Sequence, residues 1–301
     1  MGLDPDPARL WPRAVELAGE VGPAREGERV PDACRETRQP ASAATRAAAA
    51  VLTHCTLAIE AAGEHCVAVK LQLACFERLG AAGFGALAEL VRRARDHDLL
   101  VIADGKRGDI DVSARAYAQA FFGQIQTPFG SLDGLGVDAL TVNPLLGAET
   151  LAPLLEAARE RGGGLFVLVR TSNPGARDVQ ELALAAGGTV SERLAGIVSE
   201  LQRRDGAIGD VGAVVGATAP ERIERLRVLM PTAPFLLPGV GAQGGRIEAL
   251  RAAFAPGPAG GLVSVSRGIV DAHREHGGDP QRAAAEAAAR LRAQAWRLAT
   301  G

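Results

Sequence analysis

Short apolar runs recur along this chain, separated by longer stretches whose apolar positions repeat at helical spacing. After Gly2-Leu3 come Cys66–Val69, Leu99–Ile102, Ala139–Val142 and Leu165–Val169, then Ala213–Gly216, Pro234–Leu237 and Gly261–Val265. These runs are continuous in Val, Ile and Leu rather than alternating, the mark of strands buried on both faces. The segments between them are amphipathic, as in Ala82–Asp96, Ala148–Arg161, Val190–Arg204 and Pro220–Leu229. Eight such units predict an α/β fold, a (β/α)8 TIM barrel. An open doubly wound sheet is the runner-up, but no Gly-x-Gly-x-x-Gly follows the first strand.

Two stretches depart from the alternation. Val21–Ala49 is polar, carries Pro23, Pro31 and Pro40, and is expected to be an irregular loop or insertion, with a helix over about 42–63. The Ala/Arg-rich end, about 280–301, is expected to form a C-terminal helix and tail that close the barrel. The chain of 301 residues, 47% hydrophobic, suits one barrel domain spanning 1–301.

Composition acts mainly by exclusion. The net charge is −2, from 33 basic and 35 acidic residues, and 4% of residues are aromatic, so nothing favours a nucleic-acid partner. No uncharged stretch reads as a spanning helix, and Met1–Pro5 lacks the basic region and apolar core of a signal peptide. A soluble cytoplasmic protein with no membrane partner is expected. Cys34, Cys55, Cys66 and Cys75 form no Cys-x-x-Cys pair, and no Cys/His spacing suggests zinc. Free thiols in a reducing compartment are expected. His273 and His276 lie in a charged segment and read as solvated.

The densest chemistry lies at Asp104-Gly105-Lys106-Arg107-Gly108-Asp109-Ile110, directly after an apolar run. Residues two apart on a strand share a face, so Asp104 and Lys106 should project together. Buried charge is costly unless paired, so the cluster is either a structural ion-pair network or a catalytic site. The other strand ends bear on that choice. They carry Asp4, Lys70, Asn143-Pro144, Thr171–Gly175, Gly216-Ala217-Thr218, Pro238–Gly245 and Ser266-Arg267-Gly268. In a barrel these ends form one rim, where active sites sit. The glycine-rich seventh end leaves N–H groups free for an anion, and Arg267 supplies a guanidinium fork, which together suit a phosphate. Each residue also has a plainer reading. Asp4 could cap a helix before Pro5, Ser172 could cap a turn, Lys70 could be a structural partner of Asp104, and the glycines could simply permit a tight turn.

The ordered set Gly2–Pro5, Val69–Gln72, Asp104–Ile110, Thr141–Pro144, Thr171–Gly175, Pro238–Gln243 and Ser266–Gly268 resembles the orotidine 5'-phosphate decarboxylase family, in its longer bacterial subfamily. The resemblance implies decarboxylation of orotidine 5'-phosphate to UMP, the final step of pyrimidine synthesis, with no cofactor and no metal. It implies that Lys70, Asp104, Lys106 and Asp109 form a catalytic Lys/Asp array. Asp109, with Ile110 and Ser113, would reach the site of the other subunit of a homodimer. Asp4 would bind a ribose hydroxyl, Ser172 the pyrimidine ring and Pro238 the base pocket, while Gln243 and Arg267 would hold the phosphate. The loop around Gly241–Arg246 would be the lid.

Two features depart from the family pattern. Leu71 stands where the subfamily usually has proline, and Met1-Gly2 falls almost at the catalytic end of the first strand. That strand is therefore expected to be truncated, leaving unpaired edges on its neighbours. The competing readings are a metal-dependent sugar-phosphate decarboxylase or aldolase of the same architecture, and an inactive phosphate-ligand-binding product of a truncated gene.

Overall fold

The computed structural model describes residues 1–20, 42–203 and 206–301. Eight of its strands form one parallel sheet. In chain order the strands are β1 (Gly2–Leu3), β2 (Ala68–Gln72), β3 (Leu100–Arg107), β4 (Gln124–Thr127), β5 (Gly130–Asp133), β6 (Ala139–Val142), β7 (Gly164–Arg170), β8 (Val211–Val215), β9 (Phe235–Pro238) and β10 (Gly261–Ser264). The sheet runs β1-β2-β3-β6-β7-β8-β9-β10, and β4-β5 is a separate antiparallel hairpin. Helices stand between the barrel strands, as the alternation of buried runs and amphipathic segments requires.

The first strand has only two residues, yet it bridges the two edges. Leu3 pairs with Leu71 of β2. The Met1 amine donates to the Ala68 carbonyl at 2.8 Å, Lys70 N–H donates to the Met1 carbonyl, and on the other side Gly2 N–H donates to the Val265 carbonyl at 2.8 Å. The edges expected to lie bare are thus joined by main-chain bonds, giving a nearly closed barrel.

Inside the barrel, Ala68, Ile102, Ala139, Phe166, Val214 and Leu236 form one buried apolar layer, one residue from each of six strands. Between the sheet and the helices lies the larger core, with Trp11, Phe76, Phe122 and Phe235 fully buried. Because strands alternate with period two, the next inward position on each strand lies one layer higher. Those positions are Lys70, Asp104, Thr141, Leu168, Gly216 and Pro238. A greasy floor thus sits directly beneath the polar side chains of β2, β3 and β6.

Other expectations are corrected or sharpened. A helix runs over Ala43–Ala62, capped by Ser42, whose side chain accepts from Thr45 N–H. Residues 43–49 of the stretch expected to be irregular are therefore helical, and 21–41 lie outside the described residues. The C-terminal helix spans Pro280–Thr300, with Asp279 as its N-cap. His273 is not simply solvated, because its ring stands edge-on to Trp11 at 6.3 Å. The helix that Asp4 could have capped does not form at Pro5, and the first helix begins at Pro12. Among the described residues, no helix is long and apolar enough to cross a membrane.

Candidate active site

Asp104 is the hub of the polar layer. Its Oδ2 accepts from Lys70 Nζ at 2.6 Å and from Gln72 Nε2 at 3.1 Å. Its Oδ1 accepts from Lys106 Nζ at 2.5 Å and from Thr141 Oγ1 at 2.9 Å. Lys70 also faces Asp4, 3.6 Å away. These contacts follow from register. β2 and β3 pair Lys70 with Ile102 and Gln72 with Asp104, so two β2 side chains reach one β3 carboxylate. Lys70 and Asp104 are buried, whereas the Lys106 side chain is 44% exposed and faces the open cavity.

The protonation states reflect that packing. Burial by itself would raise the Asp104 carboxyl, but the Lys70 and Lys106 ammonium groups and their hydrogen bonds hold it at about 2. Burial by itself would lower the Lys70 ammonium, but the Asp104 and Asp4 carboxylates outweigh it and hold the group above its ordinary value. At neutral pH the pair is therefore fully ionised.

The shared face of Asp104 and Lys106 arises differently from the simple strand spacing. β3 pairs Ala103 with Leu140 and then resumes at Arg107 with Val142. Asp104, Gly105 and Lys106 thus oppose the single residue Thr141, a bulge that re-aims side chains. Lys106 takes a left-handed φ of +49°. That conformation costs a non-glycine residue about 1–2 kcal/mol, so the surroundings must hold it. Thr141 contributes, since its Oγ1 accepts from Lys106 N–H at 2.9 Å. A Cβ on Gly105 would stand 2.6 Å from Leu73 Cδ1, so a side chain there would force that leucine to move.

Across the cavity, β7 ends in the loop that carries Ser172. Buried Arg170 anchors this loop through Glu181, at 2.9 Å, and through the Thr171 carbonyl. Thr171 N–H donates to Gln180 Oε1, and Thr218 Oγ1 donates to the Ser172 carbonyl at 2.9 Å. Behind Ser172 the wall is main chain: a Cβ on Gly216 would stand 2.7 Å from Ser172 Cα, and one on Gly239 3.0 Å from Ser172 Cβ. The loop after β9 turns through Gly239, Gly241 and Gly244, all at positive φ. It is tied by Gly245 N–H to the Gly239 carbonyl, by Gly241 N–H to the Gly245 carbonyl and by Gly244 N–H to the Gly241 carbonyl, so these three glycine N–H groups, expected to be free for an anion, are taken up by the turn itself.

Together these walls enclose a cavity of about 350 Å³. Eight residues given candidate roles from the sequence line it: Asp4, Lys70, Asp104, Lys106, Ser172, Pro238, Gln243 and Arg267. Asp109, Ile110 and Ser113 do not. Asp109 Oδ1 accepts from Ile110 N–H, while Ile110 and Ser113 are exposed at the start of the helix Asp111–Phe121. Sequence reasoning assigned no role to Gln72 or Thr141. Their signal was available, since each is a polar residue at the end of an apolar run, with the same strand parity as the inward layer.

Residues 50–287 match the family model described as the orotidine 5'-phosphate decarboxylase / HUMPS family. The chain is 48% identical over 216 residues to the orotidine 5'-phosphate decarboxylase of Deinococcus radiodurans, covering 70% of this chain and 74% of the relative. It is 44% identical over 234 residues to that of Rhodopirellula baltica, 75% of each chain. Among solved structures, Leishmania donovani OMP decarboxylase superposes with a TM-score of 0.70 at 32% identity, covering 84% of this chain and 90% of that one.

Proposed function

This chain belongs to the orotidine 5'-phosphate decarboxylase family and, as such a carboxy-lyase, converts orotidine 5'-phosphate to UMP in pyrimidine synthesis; we propose how its side chains divide that work. Family membership disfavours both the sugar-phosphate lyase and the inactive binder. The observation that carries the assignment is the grip of Lys70 and Lys106 on one buried carboxylate, Asp104, opposite Ser172, Gln243 and Arg267.

Loss of CO2 from C6 of the pyrimidine leaves a carbanion with no conjugated electron sink. Lys106, the exposed member of the array, stabilises that charge and then delivers a proton to C6. Asp104 stands beside the departing carboxylate and keeps the Lys106 ammonium aimed. Lys70 neutralises Asp104 from the buried side, the position where a metal would otherwise balance it, and the reaction runs without metal or cofactor. Asp4 binds a ribose hydroxyl, Ser172 and Pro238 hold the base, and Gln243 and Arg267 hold the phosphate under the glycine-rich loop. Binding energy from the phosphate and ribose serves to close that loop and exclude water.

The protein works in the cytoplasm as a homodimer in which Asp109, Ile110 and Ser113 complete the partner's site. Exposed apolar residues support this. Ile110 and Val112, in the segment that follows β3, and Leu145, in the loop that follows β6, are 58%, 69% and 77% exposed. Apolar side chains left exposed in this way suit an interface.

The test is loss of ultraviolet absorbance from orotidine 5'-phosphate in the presence of a chelator. Folded protein that leaves the substrate untouched contradicts the assignment. Mixing inactive Lys106→Ala and Asp109→Ala chains under subunit exchange should restore activity, because one of the two mixed sites is then intact. No recovery removes Asp109 from the partner's site.

A further inference from the structure

We propose that Thr141 is a positioning residue, whose hydroxyl sets the aim of both Asp104 and Lys106 by spanning the bulge that carries them. The inference rests on the roles given above to those two residues. Three residues of β3 oppose Thr141 alone, so the ladder bonds that would otherwise fix this segment are missing there. The Thr141 hydroxyl replaces them. Its oxygen accepts from Lys106 N–H at 2.9 Å and its proton goes to Asp104 Oδ1 at 2.9 Å. The same Oδ1 receives Lys106 Nζ at 2.5 Å. One hydroxyl therefore holds the backbone of Lys106 in its left-handed kink and also holds the oxygen against which the ammonium rests.

The bond directions are fixed by chemistry. A hydroxyl has one proton, and an ionised carboxylate can only accept, so the proton must point to Asp104. The lone pairs then face the amide. Lys106 N–H has no alternative acceptor on β6, because the strand pairing resumes only at Arg107, whose carbonyl accepts from Asn143 N–H at 2.8 Å. Thr141 is 1% exposed, so water cannot substitute freely for the lost hydroxyl. Valine has nearly the same shape and keeps the packing above Ala139, but supplies neither bond.

Such a residue acts on the reacting geometry rather than on nucleotide affinity. Thr141→Val should lower kcat by about 10–100-fold, the scale of a sub-ångström to ångström misplacement of the proton donor. KM, and the Kd for UMP read by titration, should stay within about threefold. Thr141→Ser keeps the hydroxyl and should retain kcat within about threefold. Should Thr141→Val fail to fold, Thr141→Ser against Thr141→Ala makes the same comparison at reduced bulk, with the serine variant at least about tenfold faster. Hydroxyl-free variants that turn over within twofold of the parent overturn the proposal. So does an equal loss in kcat and in UMP affinity, which would make Thr141, a residue of the cavity lining, a nucleotide contact instead. Lys106→Ala run alongside separates the two levels: if it stays active, the underlying assignment of the proton donor fails, whatever Thr141 does.

Discussion

Two buried basic side chains lie at opposite ends of the barrel and solve the same electrostatic problem differently. Lys70, at the rim, sits against carboxylates. Arg227 is on the helix Pro220–Leu229, and among the described residues it has no carboxylate partner. Its guanidinium donates to the carbonyls of Met230 and Ala233, at 2.8 and 2.7 Å, and of Ala253 and Gly260, at 2.7 and 2.9 Å. It also stacks 3.7 Å over the Phe235 ring. Those carbonyls belong to the turns that lead into β9 and β10, and to the end of the helix Ile247–Phe254, at the N-terminal face. Burial lowers its pKa to about 10, which still leaves it charged at neutral pH. Peptide dipoles that are already fixed can hold a charge without a counter-ion. A counter-charge is needed where, as at Asp104, a further cation must be kept facing an open cavity. Burial of a charge alone therefore does not mark a catalytic site; what it is paired with, and what space it faces, does.

The contrast is broken first by Lys106→Ala, which should cut turnover by about 10⁴-fold or more while UMP affinity is largely kept. Near-normal turnover in the absorbance assay would make the rim network structural, like the one below. Next in size is Arg227→Met, which should destabilise the fold by about 3–5 kcal/mol by leaving several buried carbonyls unpaired. Turnover per folded molecule should not change. A urea melt matching the parent, or a folded variant that is inactive, would erase the distinction between the two ends.

His54 sharpens the comparison, as a buried titratable group with neither device. Burial lowers its imidazole to about 4, with Asp271 opposing and His273 and Arg274 adding to the shift. Its Nδ1 accepts from Trp11 N–H at 3.1 Å, which requires the neutral ring. The unfolded chain takes up a proton near the ordinary value of 6.5 and the folded chain only near 4. Stability from this group is therefore complete above about pH 6.5 and is lost as pH falls towards 4, by at most about 3 kcal/mol. His54→Gln should melt with a shallower acid dependence over that window, and parallel curves would refute the effect.

Much of this was legible in the residues. Continuous apolar runs locate the eight barrel strands, and the strand ends gather the eight cavity-lining residues given candidate roles. The missing parts depend on partners distant in sequence. Arg227 reads as one more charge on an amphipathic helix, because the carbonyls it binds carry no side-chain signal. The hairpin of β4 and β5 is short and exposed, with Phe129 bare at its tip, and lacks the apolar run that betrays a barrel strand. The spacing of Asp104 and Lys106 predicts the right face, but a bulge and a left-handed lysine, rather than a regular strand, deliver the contact. The role proposed for Asp109 involves a second chain, which the residues of one sequence suggest only through likeness to a family.

The main-chain wall behind Ser172 bears on how this protein can change. Any side chain at Gly216 would collide with the Ser172 backbone, so the wall proposed to face the base offers a mutating gene almost no neutral steps. The loop after β9 is different: no atoms crowd the Cβ positions of Gly241 and Gly244, and only their positive φ restricts them. Insertions and new side chains can accumulate around Ala242 and Gln243 without disturbing the barrel. A duplicated copy of this gene would thus drift first at the loop proposed to grip the phosphate, and last at the wall proposed to hold the ring.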